Sequence, residues 1–230
     1  MLRIRGSAIV AGLVLSAVEV QAQPRFETGI IAGASIATLA NLPYDAAIPS
    51  ANTTASYRAG FQGGLFAQIP VTTRFSLQPE VHYVQKGAYF QGGLIDPGAG
   101  SVGNVSLRLG YVDVPVLARI DMGRRTGLHP FVVAGPSLAL RMQCTSSLTA
   151  NKITLKSECE ENGESQDPFR KSDINGIVGA GLATVLSGHA VTVQARMSQS
   201  LRAVSNRSLP GNEEFAPKNR AISIVFSFTQ

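Results

Sequence analysis

The chain has 230 residues, of which 44% are hydrophobic and 15% are charged, and its formal net charge is +5. The low charge excludes an intrinsically disordered protein, and with glycines throughout the chain it also excludes a coiled coil. Beyond the N-terminus no apolar run reaches the roughly 18 to 20 residues of a membrane-spanning helix, so a helical membrane protein is excluded, whereas the length fits one all-β domain.

The first predicted element is a signal peptide over residues 1–22. Arg3 and Arg5 precede a small and aliphatic run at residues 8–18, and Val20 and Ala22 supply the small side chains of a cleavage site after Ala22. The apolar core is too short to span a membrane comfortably, which disfavours an anchoring helix. The sequence therefore predicts Sec-type export and a mature, still basic chain of residues 23–230.

Apolar and polar residues then alternate with a period of two, which indicates β-strands with one apolar and one polar face. The alternation is cleanest at residues 189–201, where Val191, Val193 and Ala195 face one side and Thr192 and Gln194 the other. Eight strands are predicted, at about residues 27–39, 58–69, 75–83, 106–120, 127–142, 173–186, 189–201 and 220–228.

The fourth predicted strand changes phase in its middle. Leu107, Leu109 and Tyr111 are apolar on one parity, and from Val112 to Ile120 the apolar residues take the other parity. One extra residue in a strand has this effect, so we predict a β-bulge near Pro115.

Long and short connections alternate along these eight strands. The long segments are residues 40–57, 86–105, 143–172 and 202–219, and the short ones are turns. Strands longer than the usual five or six residues in this layout predict an eight-stranded antiparallel up-and-down transmembrane β-barrel. Its short turns face the periplasm, its long loops face outward, and it lies in the bacterial outer membrane.

The apolar faces are expected to contact lipid and the polar faces to line the lumen. Eight strands leave an interior that side chains just fill, so we expect an ionic plug, not an open pore, with Glu80 the acidic partner of inward arginines. The expected lumen residues are Arg58, Gln62, Gln78, Glu80, His82, Arg108, Asp113, Arg119, His129, Arg141, Gln194 and Arg196. Because tryptophan is absent, an aromatic girdle must use residues such as Phe61, Phe66, Tyr83, Tyr111, Phe226 and Phe228.

The two cysteines, Cys144 and Cys159, lie in one predicted external loop. An exported chain with an even cysteine count permits a disulfide that would link the two ends of this loop. A zinc site is disfavoured, because two cysteines without a nearby histidine cannot complete a tetrahedral site.

Four segments, residues 60–66, 75–88, 111–118 and 130–137, follow one another in an order that is typical of one known family. They resemble the PorT-like outer-membrane β-barrel family of Bacteroidetes-type bacteria. The resemblance implies the same barrel and hints at an accessory role in secretion or transport. The chain departs from the usual pattern of a terminal aromatic residue, because Phe228 is followed by Thr229 and Gln230.

The sequence favours a non-enzymatic barrel with a structural or surface-interaction role through its external loops. Neither G-x-S-x-G nor H-E-x-x-H occurs, so no catalytic residues, metal or cofactor are predicted. The alternatives are an accessory factor for secretion or transport, and a secreted lipocalin-like barrel with its apolar faces inward.

The expected partners are outer-membrane lipid and lipopolysaccharide, together with an unspecified protein of the envelope or the cell exterior. Basic segments such as residues 170–171 and 202–207 are expected to face anionic lipopolysaccharide or solvent. The positive charge is small, scattered and exported, so no nucleic-acid partner is predicted.

Overall fold

A computed structural model describes residues 26–40, 54–96, 101–123, 127–150, 153–158, 170–203 and 218–229 of the chain. All regular structure in these residues is β-strand. The strands are β1 (Glu27–Ala40), β2 (Thr54–Ser56), β3 (Arg58–Pro70), β4 (Phe75–Asp96), β5 (Ser101–Asp121), β6 (His129–Ala150), β7 (Ile153–Glu158), β8 (Ser172–Leu186), β9 (His189–Ser200) and β10 (Lys218–Thr229). The described residues include no helix that is long and apolar enough to cross a membrane.

Eight of these strands form a closed antiparallel ring. Each pairs with its neighbour in the order β1, β3, β4, β5, β6, β8, β9 and β10, and β10 returns to β1, for example through Ile36 opposite Ile222. Closure satisfies the backbone N–H and C=O groups of both edges, which is the condition for crossing a bilayer with strands. The predicted eight-stranded up-and-down barrel is confirmed.

Side chains alternate between the outside and the inside of this ring. On β10, Ile222, Ile224, Phe226 and Phe228 are exposed, while the residues between them are buried. The same outward pattern of Ile, Val, Leu and Phe recurs around the ring, at positions such as Ile30, Leu65, Val81, Val116, Leu138, Val178 and Val193. The lipocalin-like alternative is therefore wrong, because it requires these side chains inside the barrel.

Short connections lie at the end of the ring where β1 begins and β10 ends. Between β3 and β4, Val71 N–H donates to Phe75 O at 2.9 Å, and Phe75 N–H donates to Thr72 Oγ1 at 3.0 Å. Between β8 and β9, Ser187 and Gly188 both have positive φ, 51° and 87°, as a tight two-residue hairpin requires. These turns mark the periplasmic end of the barrel.

At the opposite, external end the strands extend further than the sequence predicts. Residues 86–105, expected as a long connection, are largely the extended hairpin of β4 and β5, and β2 joins its edge at Tyr89. Residues 143–150, expected in the cysteine loop, continue β6, which pairs with β7. Strands β2, β4, β5, β6 and β7 thus form an antiparallel sheet that projects beyond the ring.

No β-bulge lies on β5 near Pro115 as predicted, although a register shift does occur close to the change of phase at Tyr111. From Val105 to Ile120, strand β5 stays in one register with β4, and the nearby register shift lies in its pairing with β6, where Gly110 pairs with Gln143 and Tyr111 with Arg141. Met142 is thus the extra residue. The sequence changes phase because the inner face of β5 itself changes, from polar at Asp113 to apolar at Tyr111.

That apolar inner surface closes the external end of the lumen. Leu39, Val84, Ala88, Leu107, Leu109, Tyr111 and Ala139 form a buried cluster, against which Phe90 and Cys144 pack. We call these residues the apolar cap. Tyr111 and Phe66 are fully or almost fully buried inside the barrel, so their predicted place in an aromatic girdle is wrong. Phe61, Phe226 and Phe228 are on the outside of the barrel.

The predicted signal peptide, residues 1–22, lies outside the described residues. Cys144 is disulfide-bonded and packs against the apolar cap. Its predicted partner Cys159 also lies outside the described residues, so the pairing stays a prediction.

A Cys144–Cys159 disulfide predicts one cross-linked peptide in a non-reducing digest. Mass spectrometry should find both cysteines in that peptide and no alkylated thiol until a reductant is added. Free thiols at either position in protein purified from the outer membrane would contradict the pairing.

Candidate functional site: the barrel lumen

A carboxylate and a guanidinium meet at the centre of the lumen. Both Glu80 carboxylate oxygens accept hydrogen bonds from Arg196, at 2.7 Å from Nη1 and 2.7 Å from Nη2. Glu80 belongs to β4 and Arg196 to β9, which are four steps apart in the eight-stranded ring. The bidentate pair therefore spans the full diameter of the barrel.

Two glutamines hold this pair in place. Gln78 Nε2 donates to Glu80 Oε1 at 2.7 Å, and Arg196 Nε donates to Gln194 Oε1 at 3.0 Å. Each glutamine lies two residues from the charge it contacts, so strand alternation places both members on the same inner face. The four side chains are almost completely buried. A bidentate, fully hydrogen-bonded geometry is what a buried ion pair needs to offset desolvation.

A second group of charges lies between this pair and the apolar cap. The His82 ring has Nδ1 3.5 Å from Glu80 and Nε2 3.7 Å from Asp113. Lys86 Nζ lies 3.9 Å from Asp113 and donates to Asn175 Oδ1 at 3.3 Å. Ser137 Oγ donates to Asp113. His82 thus connects the central pair to the Asp113–Lys86 pair.

A third group joins β8, β9, β10 and β5. Ser200 Oγ donates to Asp173 Oδ2 at 2.5 Å, and Asn219 Nδ2 contacts Asp173 Oδ2 at 3.3 Å and Tyr111 Oη at 3.4 Å. Since β10 and β5 are also four steps apart in the ring, the Asn219–Tyr111 contact is a second bridge across the lumen.

The periplasmic end has its own cluster. Arg119 contacts Asp121 through Nε at 3.0 Å and Nη2 at 2.9 Å, and His129 Nε2 is 3.4 Å from the same carboxylate. The Arg119 guanidinium lies 3.9 Å from the centre of the Phe131 ring, a cation–π geometry. Charge is therefore paired at this level too.

Little space remains among these side chains. In the described part of the barrel, a cavity of about 20 Å³ lies beside His82 and Arg196. That volume holds one water and no solute. The described buried charges comprise four carboxylates and three basic side chains, so the lumen is also nearly neutral. This arrangement can hold the barrel walls together.

The structure places most of the predicted lumen residues inside. Glu80, His82, Asp113, Arg119, Arg196 and the glutamines Gln62, Gln78 and Gln194 are buried there, as is His129. The predicted place of Arg108 in the lumen is wrong, because Arg108 lies on the outer face of β5. Leu107 and Leu109 are on the inner face of this strand.

Two further predicted lumen arginines are only half-buried. Arg58 lies at the external start of β3, where its Nε donates to Ser106 Oγ at 3.3 Å. Arg141 borders a surface pocket of about 240 Å³ next to Cys144, Glu158 and Lys171. Neither takes part in the central ion pairs.

Sequence reasoning missed several members of the network, among them Lys86, Asp121, Asp173, Asn175 and Asn219. Lys86 lies beyond the predicted strand but has the same parity as Glu80 and His82, so continuing the alternation past residue 83 would have found it. Asp173 and Asn175 likewise share the parity of Ile177, a buried residue of β8.

A family model described as an outer membrane protein β-barrel domain matches residues 21–206, most of the chain. No curated protein matches the chain. Among solved structures, the chain is similar to Neisserial surface protein A (NspA), with 12% identity, a TM-score of 0.41, and coverage of 87% of this chain and 95% of that chain.

Two further solved structures are similar, with comparable sequence identities and TM-scores. OprG from Pseudomonas aeruginosa has 10% identity and a TM-score of 0.39, over 89% of this chain and 94% of that chain. Ail, the attachment invasion locus protein of Yersinia pestis, in complex with the heparin analogue sucrose octasulfate, has 7% identity and a TM-score of 0.38, over 89% of this chain and 99% of that chain.

Proposed function

We propose that this chain, which belongs to the family of outer membrane protein β-barrel domains, is a non-enzymatic barrel whose lumen is closed and whose function lies in its external strands and loops. The protein is a bacterial outer-membrane protein, and the proposal concerns its role there. A single observation carries it: the Glu80–Arg196 pair bridges the lumen from wall to wall.

The apolar cap adds a second barrier at the external end. An ion that entered from outside would have to pass Leu109 and Tyr111, both fully buried, before it reached the charged groups. Passage through such a layer strips an ion of its water without replacing the lost hydrogen bonds. The cap and the central pair together support a structural barrel over a transporter.

The histidines support a non-enzymatic role. His82 lies between two carboxylates in the lumen, and His129 contacts Gly127 O at 2.7 Å. His189 lies at a periplasmic turn, where it stacks on Phe228 and contacts Thr229 O at 3.0 Å. Within the described residues, each ring thus has its partners in carboxylates or backbone oxygens, whereas a hydrolase histidine would activate a serine.

The sheet formed by β2, β4, β5, β6 and β7 supports a role at the cell surface. Strand β7 lies at its edge with Ile153 and Leu155 exposed by 66% and 64%. The resemblance of residues 75–88 and 111–118 to PorT-like proteins supports placing the chain in that branch of the family.

A closed lumen predicts no solute flux. Proteoliposomes that contain the purified barrel should swell in an arabinose solution no faster than protein-free liposomes, because the Glu80–Arg196 pair and the apolar cap lie across the lumen. A general porin at the same protein-to-lipid ratio provides the positive control, and heat-modifiable migration on gels confirms that the barrel is folded. Swelling well above the protein-free rate would overturn the closed-lumen proposal.

A further inference from the structure

Three prolines lie on neighbouring strands in the membrane-spanning wall of the ring. Pro79 is on β4, Pro115 on β5 and Pro136 on β6. They lie at one level, because Pro115 precedes Val116 and Pro79 pairs with Val116, the central outward residue of β5. The strands on the other side of the ring, β1, β8, β9 and β10, contain no proline.

The strand pairing is interrupted at each of these prolines. Between β3 and β4, for example, it stops after Phe66 opposite Glu80 and resumes in the same register at Ile69 opposite Leu77. The interruptions are therefore gaps in the ladder and not β-bulges. The three gaps lie at residues 67–68 opposite 78–79, 80–81 opposite 114–115, and 116–117 opposite 135–136.

A missing donor explains each gap. Proline has no N–H, so it cannot donate the ladder hydrogen bond to the residue opposite. The carbonyl groups that lose this donor belong to Ala67, Glu80 and Val116, one in each gap. They follow one another diagonally across four neighbouring strands, β3 to β6. We call these three carbonyls and the three prolines the proline seam.

The other side of the ring has continuous pairing. Every pair of β9 and β10 is present from Gln199 opposite Arg220 to Val191 opposite Phe228, and β1–β10 and β8–β9 are equally continuous. In lipid no water replaces a lost ladder hydrogen bond. Local opening costs less free energy where fewer hydrogen bonds must break. The wall should therefore open more readily at the proline seam than on the side of β8, β9, β10 and β1.

We propose that the wall between β4 and β5 opens locally at the proline seam and gives small apolar molecules in the bilayer core access to the lumen. Glu80 belongs to the seam through its carbonyl and to the central ion pair through its side chain, so this opening leads to the pair. Entry from the side bypasses the apolar cap. The inference is therefore independent of the closed axial path and of the role proposed for the external strands and loops.

Thiol labelling in proteoliposomes tests this lateral access. Leu117→Cys places a thiol on the inner face at the seam, and the matched variant Val225→Cys places one on the inner face of β10, where pairing is continuous. Both parent side chains are fully buried. N-ethylmaleimide, which dissolves in the bilayer, should react with Leu117→Cys at least about tenfold faster, since each of the three missing hydrogen bonds is worth a factor of about five. Equal rates would overturn the proposal.

A charged, membrane-impermeant maleimide separates lateral from axial access. It should label both variants far more slowly than N-ethylmaleimide does, because it cannot enter the bilayer core. If it labels Leu117→Cys as fast as N-ethylmaleimide, the reagent enters along the lumen, and the lateral path is wrong.

Restoring the missing donors should close the seam. Adding Pro79→Val/Pro115→Val/Pro136→Val to Leu117→Cys supplies three N–H groups and should slow labelling to about the rate of Val225→Cys. The control Leu77→Val/Val114→Ile/Leu138→Val changes outward aliphatic side chains on the same strands without adding a donor, and it should leave the rate unchanged. Equal slowing by both triple variants would contradict the assignment to the prolines.

Hydrogen–deuterium exchange of the unaltered barrel tests the seam without any substitution. The Leu117 amide should exchange at least about tenfold faster than the Val225 amide, for the same reason. Heat-modifiable migration confirms that each sample is folded. Equal exchange of the two amides would show that the wall does not open preferentially at the seam.

Discussion

Replacing Glu80 with Ala is expected to lower the free energy of unfolding by about 3 to 5 kcal/mol. The substitution leaves the Arg196 guanidinium buried opposite an empty position, with its two shortest hydrogen bonds gone. It also removes the acceptor of Gln78 Nε2. Urea unfolding of the barrel in phospholipid vesicles, followed by heat-modifiable migration, measures the change.

Two variants separate the ion pair from a general effect of lost charge. Glu158→Ala, on the exposed strand β7, should change stability by less than about 0.5 kcal/mol. The double variant Glu80→Leu/Arg196→Met removes both charges, so it should recover most of the loss seen with Glu80→Ala. If Glu80→Ala is as stable as the Glu158→Ala control, the pair does not hold the lumen together.

The barrel itself could be predicted because a membrane constrains both faces of a strand. Lipid requires an unbroken apolar outer face, and a narrow lumen requires a polar or small inner face. Strands β9 and β10 meet both requirements along almost their whole length, so their predicted and observed bounds differ by at most two residues. Closure then follows, since an edge strand in lipid would leave backbone groups without hydrogen bonds.

The same reasoning failed where the strands leave the membrane. On the external side of Val112, the outward residues of β5 are no longer aliphatic, and the apolar residues are on the inner face. Leu107 and Leu109 therefore lie inside and Arg108 outside, while the register of β5 with β4 does not change there. A rule that assigns the apolar parity to lipid everywhere mistakes this exchange of faces for a β-bulge.

The pairing of lumen charges was also beyond the sequence. That Glu80 and Arg196 face inward follows from alternation along each strand. That they face each other depends on strand order around the ring and on the stagger of the strands, which sets the height of β9 relative to β4. The separation of positions 80 and 196 in the sequence determines neither the strand order nor the stagger. Only the structure therefore identifies which inward arginine pairs with Glu80.

The outward aliphatic residues of β5, from Val112 to Ile120, give the most direct test of whether the outer face of the ring contacts lipid. Replacing Val116 with Arg should lower the free energy of unfolding by about 2 to 4 kcal/mol, the cost of a basic side chain at the bilayer midplane. Val116 is at the centre of the outward stretch of β5 and is 47% exposed on the barrel surface. The same urea unfolding in phospholipid vesicles measures the loss.

Ile153→Arg is the matched control, since Ile153 is also an aliphatic strand residue and is even more exposed, at 66%. It belongs to β7, which is outside the ring, so water and not lipid surrounds it and the substitution should cost less than about 0.5 kcal/mol. The difference between the two variants thus measures the medium around Val116, because exposure alone would rank them the other way. Equal stability of the two variants would mean that the outward side chains of the ring are not in contact with acyl chains.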